Sequence, residues 1–372
     1  MIARYLKWII AIASFLPACF ALAQEKSFVF KNGESGYNCF RIPAIVKSTK
    51  GNLLAFAEGR RKGCGDAGYI DLVLKRSANG GKTWGNLQIV WTDSGNTCGN
   101  PAPVVDEQSG DIILLSTWNL GEDEEWEIIA GKSKNTRRVF VLRSTDDGLN
   151  WTKPVEITSS VKNENWTWYA SGPVNGIQLA HPSFRNRLII PCDHIEAGTK
   201  KYFSHVIYSD DGGYSWKLGG TTPTDLVNEC TVAELPSGKL LLNMRNYGKD
   251  RFRQTSISND GGQTWQPLIP DSSLAEPVCQ ASLLSFFFKK QFFLAFSNPA
   301  DAKIRKQLTL KLSDDEGKTW PYEKTIYTGP AAYSNLCRVS KNTLGCLYEA
   351  GVSSPYEGIV WQSFDLKSLL RL

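Results

Sequence analysis

An all-β fold is what this sequence predicts, a six-bladed β-propeller with four-stranded antiparallel blades. Three observations support it: a recurring eight-residue turn pattern, short alternating strands beside its copies, and no long helical period. The pattern, S-x-D-x-G-x-T-W, falls at residues 77–84, 144–151, 209–216, 258–265 and 313–320, with Asn79 in place of aspartate in the first copy. The mean spacing of about 59 residues suits a propeller blade with long loops. In each of these Asp-box turns the Asp or Asn side chain is suited to accept backbone N–H bonds, and glycine supplies a positive φ. The closing Trp is expected to bury its ring between neighbouring sheets. An element that recurs five times reads as scaffold, despite its runs of carboxylates. Segments 71–76 and 139–143 alternate as strands, and 121–129 offers a short helical turn. Five copies and the remaining length predict six blades in one domain over 24–372, the chain ends closing the ring.

Residues 1–23 read as a signal peptide. Arg4 and Lys7 precede an apolar stretch over 8–20, and Ala21-Leu22-Ala23 offers a small-residue cleavage site before Gln24. The run is short and Pro17 interrupts it, which argues against a membrane-spanning anchor. Leu16-Pro17-Ala18-Cys19 also resembles a bacterial lipoprotein box, so two destinations stand: a secreted or periplasmic protein, or a cell-envelope lipoprotein with a lipid anchor at Cys19. Beyond Cys19 lie Cys39, Cys64, Cys98, Cys192, Cys230, Cys279, Cys337 and Cys346, and both disulfides and buried free thiols fit their wide spacing. No C-x-x-C pair and no H-E-x-x-H signature point to zinc, and no metal or cofactor is expected. The net charge of +5 is spread without a basic stripe, which argues against nucleic acid. No obligatory protein partner is evident.

Against the repeats stand segments that occur once. They are Phe40-Arg41-Ile42-Pro43, Glu58-Gly59-Arg60 followed by Asp66 in a Gly-rich loop, Asn228-Glu229-Cys230, Asn243-Met244-Arg245-Asn246, Asn298-Pro299 with Arg305, Tyr333-Ser334-Asn335, and Tyr348-Glu349-Ala350. Phe-Arg-Ile-Pro together with several of the turn patterns resembles the sialidase (neuraminidase) family over essentially the whole mature chain. The likeness is to the small bacterial exo-α-sialidase type, and the lysosomal animal sialidase has similar segments around Glu229, Arg245, Tyr333 and Glu349.

The resemblance implies an enzyme that hydrolyses terminal α-linked sialic acids from glycoproteins, glycolipids and oligosaccharides, with retention. In the matching positions Arg41, Arg245 and Arg305 bind the substrate carboxylate, and Glu349 orients Arg41. Planar guanidinium groups suit that role because they bind a carboxylate with paired hydrogen bonds. Tyr333 matches the nucleophile and Glu229 its partner base. A neutral phenol suits a centre that already bears a carboxylate, where an anionic Asp or Glu would be repelled. Its ordinary pKa of about 10 makes the partner base necessary. Asp66 matches the acid/base, with Asp71 as a competitor that reads as scaffold because it opens an alternating strand. Taken singly, an arginine here reads as a surface charge and Tyr333 as a groove aromatic. The aromatic run from Trp166 to Pro173 either lines the mouth of the pocket or packs between blades. Two other readings are a non-catalytic sialoglycan-binding propeller and a sialidase that releases transfer or anhydro products.

Overall fold

The structure, a computed structural model, describes residues 28–371. The signal-peptide segment and Cys19 lie outside them. The described chain is all-β, with three short α-helices, one of them Glu125–Ala130 in the segment where a helical turn is expected.

The strands pair in sequence order into sheets of eight, five, four and seven strands. The eight-stranded sheet holds two antiparallel runs, Cys39–Lys47 to Gln88–Trp91 and Thr97–Val105 to Val155–Glu156, joined by a parallel bridge between Ile70 and Thr97. In the seven-stranded sheet, Tyr322–Ser340 pairs through its first half with Lys306–Ser313 and through its second half with Thr343–Ala350. The first described strand, Phe28–Lys31, pairs with the last, Gly358–Asp365, the closure expected from the sequence. The sheets are thus fewer and larger than six separate sets of four, because backbone pairing continues across these two junctions. Buried apolar clusters fill the space between neighbouring sheets, as where Val104, Leu115, Tyr169, Ile190 and Trp216 meet. Each such aliphatic side chain contributes about 1.5–3 kcal/mol by leaving water.

All five turns are built alike. The opening Ser Oγ accepts the N–H of Gly81, Gly148, Gly213, Gly262 or Gly317 at 2.8–2.9 Å. Oδ1 of Asn79, Asp146, Asp211, Asp260 or Asp315 accepts the N–H four residues on at 2.8–3.0 Å. The glycines have φ of 79–89°, in the left-handed region that disfavours a Cβ. Trp216 and Trp265 are buried, while Trp84, Trp151 and Trp320 are half-buried. The carboxylates of these turns are occupied by their own backbone, which is the behaviour of scaffold.

The opening strands of the runs are irregular at one end. Register shifts fall between Arg41 and Ala44, Gly99 and Ala102, Trp166 and Tyr169, Val227 and Cys230, and Ala331 and Ser334. Within those intervals lie Ile42, Asn100, Trp168, Asn228, Glu229 and Tyr333, all of which line one cavity. A bulge takes a side chain out of strict alternation and re-aims it, so the same local irregularity delivers a different residue from each of five strands. Ile42 and Asn100, each before a proline, have φ of 60° and 52°. For a β-branched isoleucine that is strained, and the surrounding contacts must hold it.

Candidate active site

The cavity measures about 440 Å³, a size suited to one small ligand. A larger groove of about 530 Å³ at the other end of strand Cys39–Lys47, lined by residues such as Lys47, Val105, Asn175 and Arg338, holds none of the site residues expected from the sequence. Chemistry therefore points to the smaller cavity.

At its centre is Tyr333. Its hydroxyl donates to Glu229 Oε1 at 2.5 Å and accepts from Arg245 Nη1 at 3.1 Å. Arg245 Nη1 also bonds Glu229 Oε2 at 2.6 Å. Burial, and then the charge of Glu229, pushes the Tyr333 phenol well above its ordinary value, with Arg245, Arg305 and Arg41 pulling the other way. The phenol is neutral at neutral pH, with its proton already directed at Glu229.

Three guanidinium groups surround that ring. Arg41 and Arg305 lie 5.3 and 5.5 Å from its centroid, and Arg245 bonds its hydroxyl. Arg41 is fixed by Glu349, which is fully buried: Oε1 accepts from Arg41 Nε at 2.9 Å and from the Ile42 N–H at 2.9 Å. Glu349 Oε2 accepts from Arg41 Nη2 at 3.3 Å and from the Tyr333 N–H at 3.2 Å. One carboxylate thus sets Arg41, the strained Ile42 and the Tyr333 backbone together. Arg305 donates to the Tyr356 hydroxyl at 2.8 Å and to the Val278 carbonyl at 2.9 Å.

Asp66 stands at the rim, its side chain 55% exposed, 2.7 Å from Arg60 Nη1 and 3.6 Å from Arg41 Nη1. Burial pushes its carboxyl up, but Arg60 and Arg41 outweigh that and hold it below the ordinary value. Asp71 is fully buried and accepts from the Tyr37 hydroxyl and from Arg61, a scaffold role. Asp66, Tyr333, Glu229, Arg41, Arg245 and Arg305 all line the one cavity, with Glu349 directly behind it. Among the described residues no group of His, Cys, Asp and Glu is arranged to hold a metal ion.

Sequence reasoning assigned no role to Glu58, Arg60, Asn100, Glu125, Arg137, Asp193, Tyr247 or Tyr356, which also line the cavity. Glu58-Gly59-Arg60 was conspicuous in sequence, and the structure shows what it does. Glu58 Oε2 accepts from Arg60 at 2.6 and 3.0 Å, and Arg60 holds Asp66. Arg137 and Asp193 carried no signal, since they sit beside or within ordinary alternating strands. From the aromatic run, Trp168 reaches the cavity and lies under Arg137, 4.0 Å from ring centroid to guanidinium carbon, whereas Trp166 is buried in the core.

The lining matches five arginines with five acids. Burial, with the charge of Glu229 added, drives the Asp193 carboxyl well above its ordinary value. Burial and the charge of Asp66 also raise Glu125. Arg41, Arg245 and Arg305 gather their positive charge around the Tyr333 side chain, an arrangement that favours an anionic ligand there.

Comparison with known proteins places this architecture. The BNR repeat-like domain family matches residues 51–346. The chain belongs to that family. It is similar to a sialidase of Bacteroides fragilis, at 32% identity over 91% of this chain and 64% of the other. A sialidase of Micromonospora viridifaciens is 31% identical over 90% of this chain and 53% of its own length. The chain thus spans less than two thirds of these two relatives. Among solved structures, the Hadza microbial sialidase Hz136 superposes with a TM-score of 0.84 at 28% identity, over 92% of this chain and 69% of that one. The resemblance to sialidases read from the sequence is borne out, and the fold of the BNR-family chain is β-propeller-like.

Proposed function

We propose that this chain is a retaining exo-α-sialidase that removes terminal sialic acid from glycans, on a propeller of six four-stranded blades. The blade count is supported by the two junctions described above, each of which divides a large sheet into two runs of four when the closing strand Phe28–Lys31 is included. The observation that carries the function is a neutral, buried phenol bonded to a carboxylate and ringed by three arginines. A carboxylate ligand satisfies those arginines and brings its adjacent carbon to Tyr333.

In this mechanism Tyr333 Oη attacks the anomeric carbon and its proton passes to Glu229 Oε1. Arg245, already bonded to both, steadies the charge that moves between them. Asp66 gives a proton to the leaving glycosidic oxygen. In the second half Asp66 takes a proton from water, which attacks the same carbon, and Tyr333 departs as a phenol with the proton returned by Glu229. Two inversions give net retention. Asp66 is ionised in the ligand-free cavity, so it must gain its proton as substrate binds. A substrate carboxylate that engages Arg41 weakens one of the two cations holding Asp66 ionised.

NMR of sialoside turnover tests the reading. The α-anomer of free sialic acid is expected first, followed by mutarotation. First release of the β-anomer overturns the tyrosyl mechanism. An anhydro or transferred product replaces hydrolysis with the alternative outcome, and binding without turnover makes the protein a glycan-binding propeller. We further propose export through residues 1–23, a reading supported by the Cys39–Cys64 disulfide, which belongs in an oxidising compartment.

A further inference from the structure

We propose that the Cys39–Cys64 disulfide is a positioning device for Asp66, an inference that rests on the sialidase reading above. Cys39 opens strand Cys39–Lys47 two residues before Arg41, and Cys64 lies two residues before Asp66. The bond therefore ties the segment carrying the acid/base to the strand carrying the carboxylate-binding arginine. Among the described residues the other cysteines, Cys98, Cys192, Cys230, Cys279, Cys337 and Cys346, are buried free thiols, and the one disulfide has its Cys64 end on the cavity lining.

The segment needs such a tie. Residues 61–69 connect strands Leu53–Arg60 and Ile70–Ser77, include Gly63, Gly65 and Gly68, and expose Lys62, Cys64, Gly65 and Asp66 to solvent. Little apolar burial holds them in place. At the base of the segment the Arg61 N–H donates to the Tyr69 carbonyl at 3.1 Å. Nearer its tip Arg60 Nη1 reaches the carbonyls of Cys64 and Gly65 at 2.5 and 2.9 Å and the Asp66 carboxylate at 2.7 Å. That anchor is polar and competes with any other acceptor that enters the cavity. The disulfide is the one covalent constraint, and it fixes where Asp66 stands relative to Arg41. A displacement of about 1 Å at a catalytic group costs on the order of a hundredfold in rate.

Leaving-group chemistry separates this role from general stabilisation. An alcohol leaving from a sialyl-galactoside needs a proton, whereas an aryl leaving group such as 4-methylumbelliferone departs readily as its anion. Cys64→Ser is the chosen variant because Cys64 is exposed and Cys39 remains as a buried thiol. Its kcat/KM on a sialyl-galactoside should fall about ten- to a hundredfold, and on the aryl sialoside by less than about threefold. Asp66→Ala should show the same selectivity, and adding Cys64→Ser to it should change little more, because the two act through one group. Should Cys64→Ser fold poorly, a trialkylphosphine supplies the same comparison on the native chain: it takes oxygen from water to become the phosphine oxide and leaves two thiols. The same selective loss is expected. An equal fall on both substrates, or full additivity with Asp66→Ala, overturns the positioning role. A native protein that cleaves neither sialoside overturns the hydrolase reading itself.

Discussion

Two regions of this molecule repeat around the sheets, and they repeat in different ways. The five Asp-box turns repeat residue by residue, because each is held by side chains bonding their own backbone within four positions. The five bulges of the opening strands repeat only as geometry, and the residues they contain differ in every case. A turn that uses its side chains for its own shape has none left for chemistry. A bulge made by backbone leaves its side chain free, so one device supplies Asn100, Trp168, Glu229 and Tyr333 to a single cavity. The bonds that join them are long in sequence: Arg41 and Glu349 are 308 residues apart, and Tyr333 and Glu229 are 104 apart. The turns can form locally, whereas the site exists only once distant sheets have come together.

The division predicts that bulge residues can lose function without losing the fold. Tyr333→Phe keeps the ring and its packing but removes the attacking oxygen. We expect kcat to drop on the order of a thousandfold or more, with the thermal midpoint nearly unchanged because Glu229 keeps its bond to Arg245. Steady-state kinetics beside a melting curve decides, and full activity in this variant would break both the mechanism and the comparison. Glu349→Gln should behave otherwise. This carboxylate accepts bonds from Arg41, Ile42 and Tyr333 while fully buried, so it serves both site and fold. Leaving Arg41 without its counter-charge should cost about 3–5 kcal/mol of stability and lower carboxylate affinity in parallel. Loss of only one of the two, measured by denaturant titration and inhibitor binding, would show that fold and site are separable here as well.

The same contrast explains what the sequence revealed. The turns were legible because their physics demands Ser, Asp or Asn, Gly and Trp at fixed offsets, and the strands between them follow by alternation. The bulges were not, because backbone irregularity imposes no common side chain. The seven candidate residues came from family resemblance at non-repeating segments, and the structure gathers all of them at one cavity. Arg137, Asp193 and Glu125 escaped notice because nothing local marks them. Asp193 is just a polar position in strand Leu188–Glu196 until the fold buries it beside Glu229 and Arg245. Partition of the sheets escaped for a related reason, since hydrogen bonding across a junction depends on how neighbouring runs meet. The Cys39–Cys64 pairing likewise became visible only when the antiparallel pairing of Cys39 with Arg60 brought the two segments together.

The smallest expected effect lies in the turns, and the first of them already contains the control. Asn79 makes the turn without a charge, accepting from the Thr83 N–H at 3.0 Å and donating to the Thr83 hydroxyl at 2.8 Å. In the third turn, burial pushes Asp211 up, but the Ser215 hydroxyl and N–H and the other turn donors outweigh it and hold the carboxyl at about 2. A folded-state value below the unfolded one, about 3.9, means stability that is present above about pH 4 and is lost as pH falls through about 2. Asp211→Asn should therefore leave activity unchanged and shift stability at neutral pH by less than about 0.5 kcal/mol, as expected at an exposed position. It should also make the decline in thermal midpoint between pH 4 and pH 2 shallower. Melting curves across that range, with kcat measured at neutral pH, read both quantities. An unchanged acid slope would mean that the carboxylates of the turns do not set acid sensitivity. A fall in kcat would mean that turn and bulge are coupled through the sheet between them, and the separation of scaffold from site would then fail at its weakest point.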